Sequence, residues 1–280
     1  MNTSDLINIG SNRLKLNQIK TSKIDSEILL SKALGKKREE LLINFNQEVS
    51  EKKIKEFFNL INRRTSKEPI AYILKKKEFW SKNFEVNKNT LIPRPETELM
   101  VSKLVEIYKY KNISILDVGT GSGCIIVSLL SELVYSKGVA VDISKKALEI
   151  ADLNIRNNHL EHRIKLLLKP ISDIYNYKFD LIVSNPPYIA KNEIRNLDED
   201  VRKYEPLLAL NGGNDGLDVI KKVIYKAKDI LKINGLLALE IGNRQYNRVS
   251  KILKKNCFRI NYTIKDYKSN IRCLISTLNK

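Results

Sequence analysis

The sequence predicts an α/β protein: a mainly parallel, doubly wound sheet preceded by a small helical domain and a β-hairpin linker. Three observations predict it. From Ile113 onward, short apolar runs alternate with amphipathic helical stretches, the signature of a parallel sheet covered by helices. A glycine-rich turn follows the first of these runs and opens a helix. Before Ile70 the apolar spacing is helical throughout. The domains are therefore set at 1–75 (helical), 76–97 (linker) and 98–280 (α/β).

In the helical part, Ile24, Ile28, Leu29 and Leu34 share one helical face that Gly35 can terminate. Ile54, Phe57, Phe58 and Ile61 repeat the pattern after an N-cap candidate, Ser50. Between Ile70 and Ile92 the residues Phe79, Trp80, Phe84, Val86 and Leu91 alternate with polar residues and the turn formers Asn87 to Asn89, which suits a hairpin. Strands are expected at Ile113–Val118, Gly138–Asp142, Ile164–Leu168, Phe179–Ser184 and Leu236–Ile241. Phe258–Ile264 and Arg272–Thr277 would close the sheet as an antiparallel pair, making seven. Ser144 can cap a helix burying Ala147, Leu148, Ala151 and Ile155, and Leu217, Ile220, Ile224, Ala227 and Leu231 mark another.

Composition narrows the function classes. The 280 residues are 42% apolar and 29% charged, with 11 Gly and 7 Pro, which excludes collagen-like and wholly disordered chains. No apolar run reaches the roughly 18 residues of a membrane span, and Met1 to Asp5 has no signal-peptide character. A soluble, cytoplasmic protein is expected. Cys124, Cys257 and Cys273 are odd in number and far apart, and His159 and His162 have no nearby cysteine, so neither a disulfide framework nor a metal site is expected. The 50 Lys+Arg against 32 Asp+Glu give a net charge of +18. Because the basic residues are spread along the whole chain, solvated faces explain them as well as a nucleic-acid stripe does.

The glycine turn is Asp117-Val118-Gly119-Thr120-Gly121-Ser122-Gly123. Glycines there let a ligand approach the backbone, and the free N–H groups of the helix start favour an anionic group. By itself the motif suits a tight turn, a nicotinamide dinucleotide site or a methyl-donor site equally. Asp142 stands nineteen residues after Gly123 at the tip of the next strand, placed either to accept from a ribose diol or to sit as an anion at the following helix start beside Ser144. No GK[ST] phosphate loop is present.

After the strand Phe179 to Val183 comes Ser184-Asn185-Pro186-Pro187-Tyr188. Each proline fixes its own φ and restricts the residue before it, so the Asn185 side chain and the Pro186 carbonyl become two rigid acceptors. A planar amino group is a poor nucleophile because its lone pair is delocalised. Accepting both of its N–H bonds localises density on nitrogen and aims it at an electrophilic methyl, a matter of positioning and preorganised electrostatics that needs no metal. Tyr188 is expected to pack on the flat face of the target. His159 and His162 are expected to face solvent.

Together these residues resemble the class I S-adenosylmethionine-dependent methyltransferases that act on amino groups, and within them the HemK/PrmC family of release-factor glutamine methyltransferases. Further motifs carry the resemblance: Glu68-Pro69-Ile70-Ala71-Tyr72, Glu78-Phe79-Trp80, Pro93-Arg94-Pro95-Glu96-Thr97-Glu98, Tyr204-Glu205-Pro206 and Gly212-Gly213-Asn214-Asp215-Gly216-Leu217. The resemblance implies a seven-stranded Rossmann-like domain and S-adenosyl-L-methionine as cofactor. It assigns donor binding to Gly119, Thr120, Gly121, Ser122, Gly123 and Asp142, with Asn185 nearby. It assigns the substrate amide to Asn185, Pro186, Pro187 and Tyr188, of which Asn185, Pro186 and Tyr188 are the catalytic group. The implied substrate is the glutamine of a release-factor GGQ loop, methylated on its side-chain nitrogen by a monomeric enzyme. One departure stands out: Lys169-Pro170 replaces the acid and aromatic that the family often has beside the adenine.

Two rival substrates share the same turn. One is a glutamine of a ribosomal protein. The other is the N6 amine of adenine in DNA or RNA, which fits the charge but needs a region to hold a flipped base, and no inserted domain is evident. A non-catalytic RNA-binding module is disfavoured by the intact Asn-Pro-Pro-Tyr.

Overall fold

The computed structural model describes residues 1–279 and divides into two compact units, Met1–Lys76 with Asp198–Tyr204, and Lys77–Leu197 with Glu205 onward. The first unit holds α1 (Thr3–Leu16), α2 (Ser22–Leu34), α3 (Arg38–Ile43), α4 (Glu51–Thr65) and α5 (Ile70–Leu74). Asn2 caps α1 by accepting from the Asp5 N–H, and Gly35 ends α2 in the left-handed conformation. Leu6, Leu14, Leu29, Leu30, Phe57 and Ile61 form its core.

The buried face of α2 differs from the expected one. Ile24 is 49% exposed, while Asp25, Ser26, Leu29, Leu30 and Ala33 turn inward. Pairing explains this: Asp25 Oδ2 accepts from Arg64 Nε of α4 at 2.7 Å, and Ser26 Oγ donates to the Ile7 carbonyl at 2.9 Å. Polar groups enter a core when partnered, and apolar spacing does not register them. Ser50 takes the N-cap position of α4 without a side-chain capping bond.

In the second unit the hairpin is shorter than the expected Ile70–Ile92. Its strands are β1 (Lys76–Phe79) and β2 (Lys82–Glu85). Ile70–Leu74 is helical instead, starting from Pro69 at its N-cap. The hairpin turns on Trp80 and Ser81, both at positive φ, while Asn87 and Thr90 close a separate turn. That conformation is uncommon for a bulky residue. Two carboxylates anchor Trp80: Glu98 accepts its backbone N–H and Glu132 accepts its indole N–H.

After α6 (Pro95–Tyr108) the chain alternates β3 (Ser114–Val118), α7 (Cys124–Glu132), β4 (Lys137–Asp142), α8 (Lys145–Asn157), β5 (Ile164–Leu168) and β6 (Phe179–Ser184). Then come two short helices, α9 (Glu199–Tyr204), which groups with the first unit, and α10 (Leu207–Leu210). The chain closes with α11 (Asp218–Ile230), β7 (Leu231–Glu240), α12 (Tyr246–Lys255), β8 (Phe258–Lys265) and β9 (Ile271–Leu278). The seven-stranded sheet has the order β5-β4-β3-β6-β7-β9-β8, parallel except at β7–β9 and β9–β8. Two apolar clusters cover its faces, one through Ile115, Leu181 and Ala238, the other through Leu116, Ile182 and Leu237. Alternate residues of each strand thus bury on opposite faces.

All the expected strands are present, with one boundary moved. Leu231, read as the last turn of a helix, begins β7, five residues before the expected start. Asn234 at positive φ and a register shift opposite Phe179 and Leu181 explain the interrupted pattern. Ser144 caps α8 by accepting from the Ala147 N–H. His159 and His162 are exposed, and no residues among those described form a metal-binding cluster. No described helix is long and apolar enough to cross a membrane.

Candidate active site

The strand order fixes where a ligand can enter. From β3 the chain winds outward through β4 and β5, then returns to β6 on the other side of β3. The gap past the carboxyl ends of β3 and β6 is therefore the topological switch point, where open α/β sheets bind ligands. Val118 and Ser184 are register partners there, and Ser184 Oγ donates to the Val118 carbonyl at 2.7 Å. This bond ties together the two strand ends from which the glycine turn and Asn185 depart.

A cavity of about 280 Å³ opens at this point. Gly119, Thr120, Gly121 and Ser122 line it past the end of β3, Asp142 at the end of β4 to one side, and Asn185 with Pro187 after β6 to the other. Gly119, Gly121 and Gly123 all have positive φ, the region glycine adopts without steric cost. A Cβ on Gly119 would meet no atom within 4 Å, so the turn faces open space. Gly123 is not a wall residue; it begins α7 and abuts Ala151 of α8.

Asp142 combines both placements considered from sequence. Its Oδ1 accepts from the Ser144 N–H at 2.9 Å and its Oδ2 from the Gly121 N–H at 3.0 Å, so it braces the glycine turn while lining the cavity. Each oxygen keeps a second lone pair for an incoming donor. Burial raises its pKa, opposed by these backbone bonds.

Asp117 does not line the cavity but is tied to the glycine turn, a role that sequence reasoning missed. It is wholly buried at the end of β3, and its Oδ2 accepts from Thr120 Oγ1 at 2.7 Å while its Oδ1 has no partner. Burial, reinforced by the charge of Asp142, pushes its pKa up to about 7. The Thr120 hydroxyl and the Ile126 backbone oppose this rise.

The Asn-Pro-Pro-Tyr turn is held from behind by the other sequence motifs. Asn185 faces the cavity, Pro186 is buried, and Tyr188 is directed away from the cavity wall into a polar cluster. The Tyr188 hydroxyl donates to Glu240 Oε1 at 3.4 Å and accepts from Arg272 Nη2 at 3.1 Å, with the guanidinium 5.5 Å from its ring. Burial and the Glu240 charge push its pKa up to about 12. Its hydroxyl is thus committed behind the turn, where the sequence suggested a platform for the target. Gln245 Nε2 donates to the Tyr188 carbonyl at 2.9 Å, and a Cβ on Gly216 would stand 2.4 Å from that same carbonyl. The Gly212 to Leu217 loop therefore packs against the turn's backbone. Glu205 accepts from Arg94 Nη2 at 2.5 Å and from the Ile92 N–H at 3.1 Å, fixing Pro93 and Arg94 at the cavity mouth. Lys169 and Pro170 also line the cavity.

Switch-point cavity, glycine turn, acidic strand tip and antiparallel closing pair define a class I methyltransferase. A solved ribosomal protein L11 methylase from Lactobacillus delbrueckii subsp. bulgaricus shares this fold with a TM-score of 0.52 at 20% identity, over 67% of this chain and 81% of that one. Residues 95–201 match the methyltransferase small domain family and residues 5–74 the PrmC N-terminal domain family. The chain is 43% identical over 252 residues to the release factor glutamine methyltransferase of Clostridium acetobutylicum, covering 87% of each. It is also 37% identical to a bifunctional methyltransferase of Rickettsia typhi, of which it spans 57%. The chain belongs to the release factor glutamine methyltransferase family.

Proposed function

We propose that this protein methylates the side-chain amide nitrogen of the glutamine in the GGQ loop of a peptide-chain release factor, with S-adenosyl-L-methionine as donor. The observation that carries the reading is Asn185 on the cavity wall directly across the switch point from the glycine turn. The donor fits the residues present. The open face over Gly119 accommodates its backbone-hugging part, Asp142 retains lone pairs for a ribose diol, and the Asp117 carboxylate, bonded to Thr120 of the turn, favours a positive charge nearby.

When bound, the donor supplies an electrophilic methyl on a positively charged sulfur. The chain's part is to make an amide nitrogen nucleophilic. Asn185 Oδ1 and the Pro186 carbonyl accept its two N–H bonds, which holds the nitrogen in place and concentrates its electron density. With the donor bound, the amide nitrogen so held would take the methyl as the carbon–sulfur bond breaks, and would release its proton to water. Pro187 stiffens the corner. Tyr188 acts from behind, through its ring and its bonded hydroxyl. Residues 1–75 select the release factor, 76–97 link, and 98–280 carry the chemistry. The enzyme works as a cytoplasmic monomer, and nucleic-acid contact is not required.

The test is transfer of labelled methyl with release factor, ribosomal protein and RNA or DNA offered in competition. Label is expected in the release factor and absent when its loop glutamine is replaced. Label in ribosomal protein or nucleic acid, with the release factor untouched, overturns the reading.

A further inference from the structure

Asn185 can help a planar amine only if its carbonyl oxygen, and not its own NH₂, faces that amine. The two ends of a carboxamide are nearly the same size, so packing alone does not choose between them, and the hydrogen-bond network must. The second unit contains a network that makes this choice.

Thr97, in the first turn of α6, is buried beside the turn. Its Oγ1 donates to Glu240 Oε2 at 2.6 Å. Glu240 ends β7 at 1% exposure, and its other oxygen accepts from the Tyr188 hydroxyl. An ionised carboxylate only accepts; burial raises the Glu240 pKa, opposed by the Thr97 hydrogen bond, the Arg272 charge and the Tyr188 hydroxyl. With Glu240 ionised, the 2.6 Å bond commits the single hydroxyl proton of Thr97 to Glu240 and leaves only lone pairs towards Asn185. Asn185 must present Nδ2 there, and it does so at 3.4 Å. Its Oδ1 is the end left for the cavity.

We propose that Thr97 and Glu240 are positioning residues that fix which end of the Asn185 carboxamide meets the substrate: Glu240 orients the Thr97 hydroxyl, and Thr97 orients Asn185. Resting on the methyl-transfer reading above, this adds a requirement that the Asn-Pro-Pro-Tyr turn does not meet alone. Without the hydroxyl, the amide can rotate and place NH₂ against NH₂, with no acceptor for the reacting nitrogen.

The experiment measures kcat, KM for release factor and donor Kd by calorimetry for wild type, Thr97→Val, Thr97→Cys and Thr97→Ser. Valine keeps the shape without the hydroxyl, cysteine offers a thiol that accepts poorly, and serine restores the hydroxyl. Val and Cys are expected to lower kcat by about tenfold or more, leaving KM and donor Kd within about twofold, and Ser to return to within about threefold of wild type. If the buried carboxylate prevents Thr97→Val from folding, Thr97→Cys carries the test. Wild-type kcat in a folded Val or Cys variant overturns the proposal. So does a Ser variant as impaired as Cys, which would make the role one of shape, or a loss confined to KM or Kd. Wild type that transfers no methyl to release factor yet binds donor refutes the functional reading itself, which is a separate outcome.

Discussion

Asn185→Ala is expected to lower kcat for methyl transfer by about 10²- to 10³-fold, the cost of removing one preorganised polar group from a reacting centre, while donor affinity falls less than about tenfold. The unequal loss follows from geometry. On the proposed reading the glycine turn and Asp142 would hold the donor side independently of Asn185, each with its own backbone anchors. Asn185 stands across the cavity, tied to Thr97. Its oxygen is needed when density must build on the amide nitrogen, which is a demand of the transition state more than of binding. Single-turnover rates with donor binding by calorimetry check this. Equal losses in both would make Asn185 chiefly a donor contact.

Asp117→Asn is expected to weaken donor binding by about 10- to 100-fold, the scale of a lost hydrogen bond between charged partners, and to abolish the pH dependence expected of wild type. Burial penalises the charge of Asp117 and pushes its pKa up to about 7. The ionised form is the better partner for an ammonium, so donor affinity rises as pH rises through about 7. The rise ends below about pH 8, where an α-ammonium begins to lose its own proton. Stability runs the other way. A folded pKa raised from 3.8 contributes stability below the unfolded value that is lost as pH climbs to the folded one. The free wild type should therefore lose stability relative to Asp117→Asn between about pH 4 and pH 7. Paired denaturant titrations across that range measure the difference. Donor affinity equal in the two proteins and flat with pH would remove Asp117 from the site.

The sheet was legible in the sequence because parallel strands buried on both faces read as predominantly apolar runs, and Ile113–Val118 and Phe179–Ser184 are such runs despite Asp117 and Asp180. The cavity was legible for a related reason: glycines and prolines mark where backbone geometry is special, and both marks fall at carboxyl ends of adjacent strands. Polar residues that are buried by pairing were harder to see. Asp25 and Ser26 displaced Ile24 from the core because partners sit on α4 and α1, which no local pattern reveals. Glu240 and Thr97 lie 143 positions apart and are brought together by the fold alone. Their one local signal was an acid inside an otherwise apolar run, Leu236 to Ile241. Tyr188 shows the same limit, because its neighbour in sequence faces the cavity while its own hydroxyl is claimed by Glu240 and Arg272.

The most direct measurement is a structure of the protein with release factor and the demethylated donor product. The account predicts the substrate amide nitrogen at about 3 Å from both Asn185 Oδ1 and the Pro186 carbonyl, with Asn185 Nδ2 still on Thr97. A glutamine nitrogen gripped by other groups, or an Asn185 carboxamide turned the opposite way, would contradict it.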